Sequence, residues 1–376
     1  MQGSVGVELC GGRPHLFSLV VKTTSACNLA CSYCYVAQHF SKTAAKVIGK
    51  NTIALAIQQY AAVVQARRGA GLRYDRACFL WHGGEPTLAG IEFFQNCFET
   101  EREAFGSLAS VRNCLTTNGT LLTSDWTDLF KTYSVDVSVS LDGPSDIHDQ
   151  NRPSRNGGGS FSAALAAYES LRGAGLNPGI MMVVTERAAA DANRIYDFFQ
   201  SLKPKNLAFV PYVTRGEHIS AEGYTLFLEQ FFHRWLEEDR EDFYVRDFDT
   251  IMTRLLGGVS SLCEYNNCCG NYLTLDVDGS IYACDLFLGD PRKKLGHIAQ
   301  NHLLHILDSE KLAEHASEAR ALPEECRTCG YSWVCGGGCL YRRQLSGCNQ
   351  DFFCVSRIRL IDRVAEAMGV GGCPAV

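Results

Sequence analysis

The stretch "TTSACNLACSYCYVA", residues 23–37, places Cys27, Cys31 and Cys34 directly after an apolar run. The spacing is C-x3-C-x2-C, with Tyr33 and Tyr35 on either side of the last thiol. Three thiols within one loop point to metal ligation. A closed zinc site takes four ligands, and the next Cys or His is His39, five residues on. Three thiolates suit a four-iron cluster that leaves one iron open to a substrate or cofactor. Three buried cysteines in a strand-to-helix loop are the bland alternative, and this spacing argues against it.

The rest of the chain tells which kind of protein carries such a loop. Its 376 residues are 46% hydrophobic and 20% charged, which excludes a disordered chain and leaves room for a full core. A formal net charge of −6 leaves no electrostatic footprint for a nucleic acid or an anionic membrane. No apolar run reaches the length of a membrane span. "MQGSVGVELCGGRPH" lacks the order of a signal peptide, so a cytoplasmic location is expected. There, thiols stay reduced, and clusters among the eighteen cysteines read as metal ligands rather than disulfides.

Apolar, β-branched runs predict buried parallel strands at 16–21, 77–84, 111–119, 135–143, 178–185 and 206–213. Helical patterns separate them, such as 52–68 and 160–175. Six strand–helix units make an α/β fold, either an open doubly wound sheet or a partial barrel. Polar residues gather at the strand ends, at His82-Gly83-Gly84-Glu85, Thr116-Thr117-Asn118 and Ser140-Leu141-Asp142. That edge is where parallel α/β folds bind ligands. Residues 214–262 read as a charged helical bridge. Beyond it, "YLTLDVDGSIYACDLF" predicts a hairpin turning at Asp278-Gly279, followed by cysteines, glycines and a closing helix, "SRIRLIDRVAEAM".

With these motifs in order, the sequence resembles the radical S-adenosylmethionine (radical SAM) enzymes over nearly the whole chain. The resemblance implies a partial (β/α)6 TIM-like barrel. It implies that Cys27, Cys31 and Cys34 hold a [4Fe-4S] cluster whose open iron chelates S-adenosylmethionine. "HGGEP" at 82–86 resembles the motif for the methionine amino group, with Gly83, Gly84 and Glu85. "SLDGP" at 140–144, with Ser140 and Asp142, and Arg152 resemble positions for the carboxylate and ribose; Tyr33 joins the cofactor-binding set. A common turn, a helix cap and a surface charge are the plain readings of these three motifs. In this family one electron from the cluster cleaves the cofactor, and the resulting 5′-deoxyadenosyl radical takes a hydrogen atom from substrate. A low-potential donor such as flavodoxin or ferredoxin is implied.

The C-terminal thiols read Cys263-x5-Cys269-x14-Cys284, then Cys326-x2-Cys329-x5-Cys335-x3-Cys339, then Cys354. Eight suffice for two closed four-iron clusters; a zinc ribbon on "CRTC…CGGGC" is the alternative. The pattern resembles the SPASM extension, which implies one auxiliary cluster on Cys263, Cys269, Cys284 and Cys339. The other would sit on Cys326, Cys329, Cys335 and Cys354, three [4Fe-4S] clusters in all. Cys268 could replace Cys269. Cys10, Cys78, Cys97, Cys114, Cys348 and Cys373 are expected to be spare. The expected domains are a barrel at 1–213, the bridge at 214–262, the SPASM domain at 263–356, and a C-terminal helix and tail at 357–376.

Among such enzymes the chain is most similar to anaerobic sulfatase-maturating enzymes, sharing "GGEPTLAG", "TNGT", "SLDGP", "DGSIYACD" and "CGGGC". By that resemblance Asp285 is a base that deprotonates the target Cys or Ser; a turn aspartate bonding backbone is the alternative. Thr116 stands where the subgroup has Gln, and "NLAFVPY" replaces a Q-F pattern. Other relatives modify ribosomally made precursor peptides (RiPPs), many through an N-terminal leader-binding module. The roughly fifteen residues before the first strand are too few for one. The sequence therefore predicts a peptide or protein maturase, first a RiPP-modifying one that cross-links or oxidises a side chain. Formylglycine formation on a sulfatase is the alternative, and a non-catalytic metal-binding scaffold a second.

Overall fold

The computed structural model of the 376-residue chain describes residues 17–40, 45–72, 74–238, 243–260 and 262–370. Cys10 and Cys373 lie outside the described residues. Six parallel strands form where the apolar runs predict them: β1 (Ser18–Lys22), β2 (Arg76–His82), β3 (Ser110–Thr117), β4 (Asp136–Ser140), β5 (Gly179–Val184) and β6 (Leu207–Pro211). They lie side by side in chain order and pair in parallel throughout. The connecting helices include α1 (Lys50–Gly69), α2 (Ile91–Phe105), α3 (Ser124–Thr132), α4 (Phe161–Gly173) and α5 (Ala192–Leu202).

Burial alternates along the strands. In β2, Ala77, Phe79 and Trp81 are buried against the helices, while Cys78, Leu80 and His82 on the other face are half-buried. Strands with two protected faces are what a parallel sheet under crossover helices requires. This is the partial barrel of the α/β class.

The predicted hairpin forms as β7 (Tyr272–Leu275) and β8 (Ser280–Tyr282), followed by β9 (Lys294–His297). It is not a free-standing ribbon. β7 pairs in parallel with β1, so the cysteine-rich segment extends the barrel sheet to nine strands in the order β6-β5-β4-β3-β2-β1-β7-β8-β9. The bridge folds as α6 (Ala221–Glu237) and α7 (Arg246–Leu255), and the C-terminal part adds α8 (Glu310–Arg320), α9 (Leu340–Ser346) and α10 (Cys354–Ala367). α10 docks on α6, where Thr225 donates to Ser356 at 2.8 Å.

At the C-terminal edge of β2, Gly83 and Gly84 let two backbones touch. The Gly84 amide donates to Thr24 O and the Glu85 amide to Ala26 O, each at 2.8 Å. A Cβ on Gly84 would lie 2.1 Å from the Ala26 carbonyl oxygen. This contact fixes the thiol loop against the end of β2.

Two predictions follow from the packing. Gly84→Ala should lower stability by about 2 kcal/mol or more, since the atom it meets is backbone and cannot step aside. Gly173→Ala, where nothing lies within 4 Å of the added Cβ, is the control; equal melting points for the two variants would refute the contact. The second concerns Glu101 in α2, buried beneath the sheet. Asn113 donates to its Oε2 at 2.7 Å and itself accepts from Trp81 at 2.7 Å. Burial, against the Asn113 hydrogen bond, pushes the Glu101 carboxyl up to about 8 from 4.5. A raised folded value means the stability it contributes is full below the ordinary value and is lost as pH rises through about 8. Glu101→Gln should therefore gain on the wild type between about pH 5 and 9, on the order of 2–4 kcal/mol. A melting-point gap that does not change with pH would show that Glu101 ionises normally.

Candidate functional site

Cys27, Cys31 and Cys34 stand half-buried in the loop after β1. The loop is sewn to the segment behind "SLDGP": Ala30 N donates to Pro153 O at 2.8 Å, Ser32 N to Asn151 O at 3.0 Å, and Arg155 Nε to Cys27 O at 2.6 Å. Burial pushes the Cys31 thiol up to about 12 although Arg152 opposes it, and the charges of Cys34 and Cys27 add to the rise. Cys27 is raised by burial too, with Glu85 and Cys34 contributing. A positive centre among the three sulfurs would offset the burial that disfavours the Cys27 and Cys31 thiolates.

The residues expected at the cofactor fall into two groups. Gly83 and Gly84 present backbone beside the loop. Glu85 and Asp142 turn inward. Glu85 accepts from Thr87 N at 3.1 Å, Thr87 Oγ1 and Thr117 Oγ1 at 2.7 Å, and Asn118 N at 2.8 Å. Burial nevertheless raises its carboxyl above the ordinary value, partly opposed by these bonds. Asp142 is wholly buried. It accepts from the Tyr33 hydroxyl, Arg152 Nη2 at 3.1 Å and the Val183 amide at 3.0 Å, and forms an ion pair with Arg152, whose Nε lies 3.0 Å from Oδ2. Arg152 also lies over the Tyr33 ring at 5.2 Å. Neighbouring donors orient both carboxylates, and Asp142 holds Tyr33 and Arg152. Ser140 ends β4 and is buried.

Asp285 enters from the cysteine-rich segment. The β1–β7 pairing and the β7–β8 hairpin bring it to the end of β1, where Lys22 Nζ lies 2.6 Å from its Oδ1. The Tyr35 hydroxyl donates to its Oδ2. Lys22 is fully buried and meets three neighbours with its three N–H groups: Asp285, the Tyr35 hydroxyl at 3.2 Å and His82 Nδ1 at 3.1 Å. Burial, then Lys22, brings the His82 ring down to about 4, so it is neutral and accepts through Nδ1. Burial alone would raise the Asp285 carboxyl; the Lys22 charge, helped by the Tyr35 hydrogen bond, outweighs it and holds it below the ordinary value. The sequence reading passed over Lys22. Its signal was a charge closing the apolar run "SLVVK".

The C-terminal thiols gather in two sets. Cys263 is raised by burial and then by Cys339 and Cys284, and Cys284 by burial and then by Cys339 and Cys269. Cys354, pushed up to about 11 by burial, feels Cys335, Cys326 and Cys329. Cys268 instead aims its thiol at the Cys263 carbonyl, 4.0 Å away. Asp351 joins the sets. It accepts from Cys339 N at 2.8 Å, its own carbonyl accepts from Cys354 N at 3.0 Å, and Arg342 lies 2.9 Å away. Arg342 and Arg357 both pair with Glu264, next to Cys263. Between Cys335 and Cys339, Gly336, Gly337 and Gly338 have φ of +68°, +82° and +78°. A Cβ on Gly338 would lie 2.4 Å from Asp351 Oδ2, so the glycines permit a crossing that larger residues forbid. Cys78 and Cys114 neighbour each other across β2 and β3, Cys97 is buried and Cys348 exposed, away from these sets.

A sulfur-only donor set fits iron–sulfur clusters. Among the described residues, no three His, Cys, Asp or Glu side chains converge as they would around one metal ion. None of the described helices is long and apolar enough to cross a membrane.

The Radical SAM superfamily pattern matches residues 21–199, and the SPASM iron-sulfur cluster-binding domain matches 263–330. The chain is 30% identical to a cysteine-type anaerobic sulfatase-maturating enzyme of Clostridium perfringens, over 87% of this chain and 89% of that one. It is 27% identical to a serine-type enzyme of Bacteroides thetaiotaomicron, over 86% and 82%. Among solved structures, native anSMEcpe with bound AdoMet and Cp18Cys peptide matches with a TM-score of 0.83 and 27% identity, over 95% of this chain and 99% of that one. Streptococcus suis SuiB bound to precursor peptide SuiA shares the fold with a TM-score of 0.64 at 16% identity, over 91% and 75%. With its barrel, its thiol loop and its cysteine-rich extension in the same order, this chain belongs to the SPASM-bearing radical SAM enzymes, the family of the anaerobic sulfatase-maturating enzymes.

Proposed function

We propose that this enzyme oxidises a Cys or Ser side chain of a peptide or protein to formylglycine. The observation that carries the reading is Asp285, a carboxylate delivered by the cysteine-rich segment to the barrel mouth beside the Cys34 loop and oriented there by Lys22 and Tyr35. The sequence ranked RiPP modification first. The relatives that align over most of the chain are sulfatase-maturating enzymes, and they favour the alternative. Cross-linking of a precursor peptide remains the second reading, supported by the fold shared with SuiB.

In this reading Cys27, Cys31 and Cys34 hold one [4Fe-4S] cluster. Cys263, Cys269, Cys284 and Cys339 hold a second, and Cys326, Cys329, Cys335 and Cys354 a third. Once bound, the first cluster and S-adenosylmethionine supply the hydrogen-abstracting radical. Gly83, Gly84, Ser140 and Arg152 line the cofactor's place, with Tyr33 and Asp142 holding Arg152. The oxidation removes a hydrogen atom from Cβ, a proton from the heteroatom and one electron; Ser gives the aldehyde directly, and Cys gives a thioaldehyde that water converts to the aldehyde with release of hydrogen sulfide. Asp285 takes the proton. The thiol sets of the C-terminal part offer the electron a route out to a donor–acceptor partner such as flavodoxin or ferredoxin. The enzyme works in the cytoplasm.

Changing Cys27, Cys31 and Cys34 together to Ala should abolish 5′-deoxyadenosine formation under dithionite. It should also lower iron from about twelve per chain to about eight. Cofactor cleavage by the triple variant would end the whole assignment. Asp285→Asn keeps size and polarity but cannot accept a proton. It should still bind iron and cleave the cofactor, while aldehyde product per 5′-deoxyadenosine, read by mass and hydrazide trapping, falls by ~10²-fold or more. A ratio equal to wild type would remove Asp285 from the chemistry, and a cross-linked product without aldehyde would favour the second reading.

A further inference from the structure

Helix α8 carries a buried imidazole that nothing in the protein bonds. His315 is 2% exposed, and neither its Nδ1 nor its Nε2 has a hydrogen-bond partner among the described residues. Its ring meets Phe287 edge to face, with centroids 5.6 Å apart. Neutral or charged, an imidazole has a hydrogen on at least one nitrogen, and an interior N–H left unpaired is costly. The helix shows what that hydrogen faces. Leu312 and Ala316, which share a stripe with His315, pack over Gly270; a Cβ there would lie 3.3 Å from Leu312 Cδ1 and 3.9 Å from Ala316 Cβ. Gly270 directly follows Cys269. Ala319, one turn on, shares an apolar cluster with Phe287 and Leu340, against which Cys269 and Cys284 pack. The face of α8 that bears His315 is thus turned toward one of the C-terminal thiol sets.

Arg343 reaches the same set from α9. It is 1% exposed, and among the described residues no carboxylate pairs with it. Its Nη1 and Nη2 donate to Ala321 O and Ala319 O at the end of α8, and its Nε is unpartnered. Carbonyls at a helix C-terminus temper a cation without neutralising it. Arg342 and Arg357, by contrast, share the carboxylates of Glu264 and Asp351. The Arg343 charge is felt at Cys269, where it opposes the rise caused by burial, Cys263 and Cys339, and it is felt at Cys326 of the other set. A buried cation without a counter-charge and a buried N–H without an acceptor, both beside the same thiols, call for an anionic acceptor there.

We infer that His315 and Arg343 direct an N–H and a positive charge at the cluster of Cys263, Cys269, Cys284 and Cys339 and stabilise its reduced form. This rests on the reading that those four thiols hold a [4Fe-4S] cluster. Hydrogen bonds to the sulfurs of a cluster and positive charge beside it favour an added electron, so they raise its potential. Cys284 adjoins Asp285 in the chain. The one electron released in the proposed oxidation enters this cluster, reduces it and leaves for the protein partner, while the proton goes to Asp285. His315 and Arg343 are positioning residues in this account: they touch the cluster and not the substrate.

The test is an anaerobic redox titration of the cluster-loaded enzyme, read by electron paramagnetic resonance. The variant with Cys27, Cys31 and Cys34 changed to Ala, run alongside, identifies the two auxiliary signals. His315→Phe keeps an aromatic ring against Phe287 but has no N–H. It should load as much iron as the wild type. At a fixed potential the ratio of reduced to oxidised form should fall roughly tenfold for one auxiliary cluster, about 59 mV for one electron, and stay unchanged for the other. His315→Gln, which restores an N–H, should recover most of that loss. Arg343→Met should depress the same signal, and Arg343→Lys, which keeps the charge, should depress it less. Should Arg343→Met fail to load iron, the two His315 variants decide the matter. A wild-type or raised potential in His315→Phe overturns the inference, and a buried water is then the partner of the imidazole. An equal fall in His315→Gln and His315→Phe overturns it too, since packing and not the N–H would then set the potential. Wild-type iron of about eight per chain with one auxiliary signal missing would refute the ligand reading, and the inference would fall with it; full iron with unmoved potentials would sink the inference alone.

Discussion

A buried ammonium organises the molecule. Lys22 ends the first strand with no access to water, and an unpaired charge there would be untenable. Asp285 supplies the counter-charge from the other end of the chain, and Tyr35 and His82 take the remaining N–H groups. Removing one partner of such a buried pair typically costs about 3–5 kcal/mol. The pair therefore ties together the first strand, the thiol loop, the end of β2 and the cysteine-rich segment. The geometry of the site follows from that tie. The carboxylate proposed to act on substrate is held by a residue whose own position is fixed by the sheet.

A second charged knot does the same work farther out. Glu264, Arg342, Asp351 and Arg357 satisfy one another in the interior, and Asp351 also accepts the Cys339 amide. Burial works against its carboxylate, yet Arg342 and Arg357 keep it well below the ordinary range. The knot sits where the two C-terminal thiol sets cross. The three glycines between Cys335 and Cys339 let that crossing be tight. Neither set can shift without moving the knot, so the two are mechanically one unit.

Much of this was legible in the residues. The six strands, the helices between them, the hairpin and the closing helix stand within a few residues of the apolar runs, because parallel strands buried on both faces write continuous apolar text. The thiol loop was legible because spacing is a local property. What the sequence did not show is non-local or inward. Nothing in "YLTL" says that it pairs with "SLVV" rather than standing apart, since register between distant strands leaves no periodic mark. Glu85 and Asp142 looked like ligand-facing carboxylates at strand ends. The structure adds the neighbouring donors that orient both, which come from other segments and leave no mark in the local sequence. Lys22 carried a faint mark, a lysine closing an apolar strand, but its partner lies far along the chain.

The pairing of β1 with β7 also sets a timetable for synthesis. β1 finds β2 early, but its other edge waits about 250 residues for β7 to leave the ribosome. At ~5–20 residues per second that is tens of seconds or less. During that interval an apolar edge and the three thiols of the neighbouring loop stand open to whatever the cell offers, whether metal carriers, oxidants or the edge of another nascent chain. The last third of the protein thus closes the first, and a nascent chain that stalls before β7 is left with both liabilities exposed.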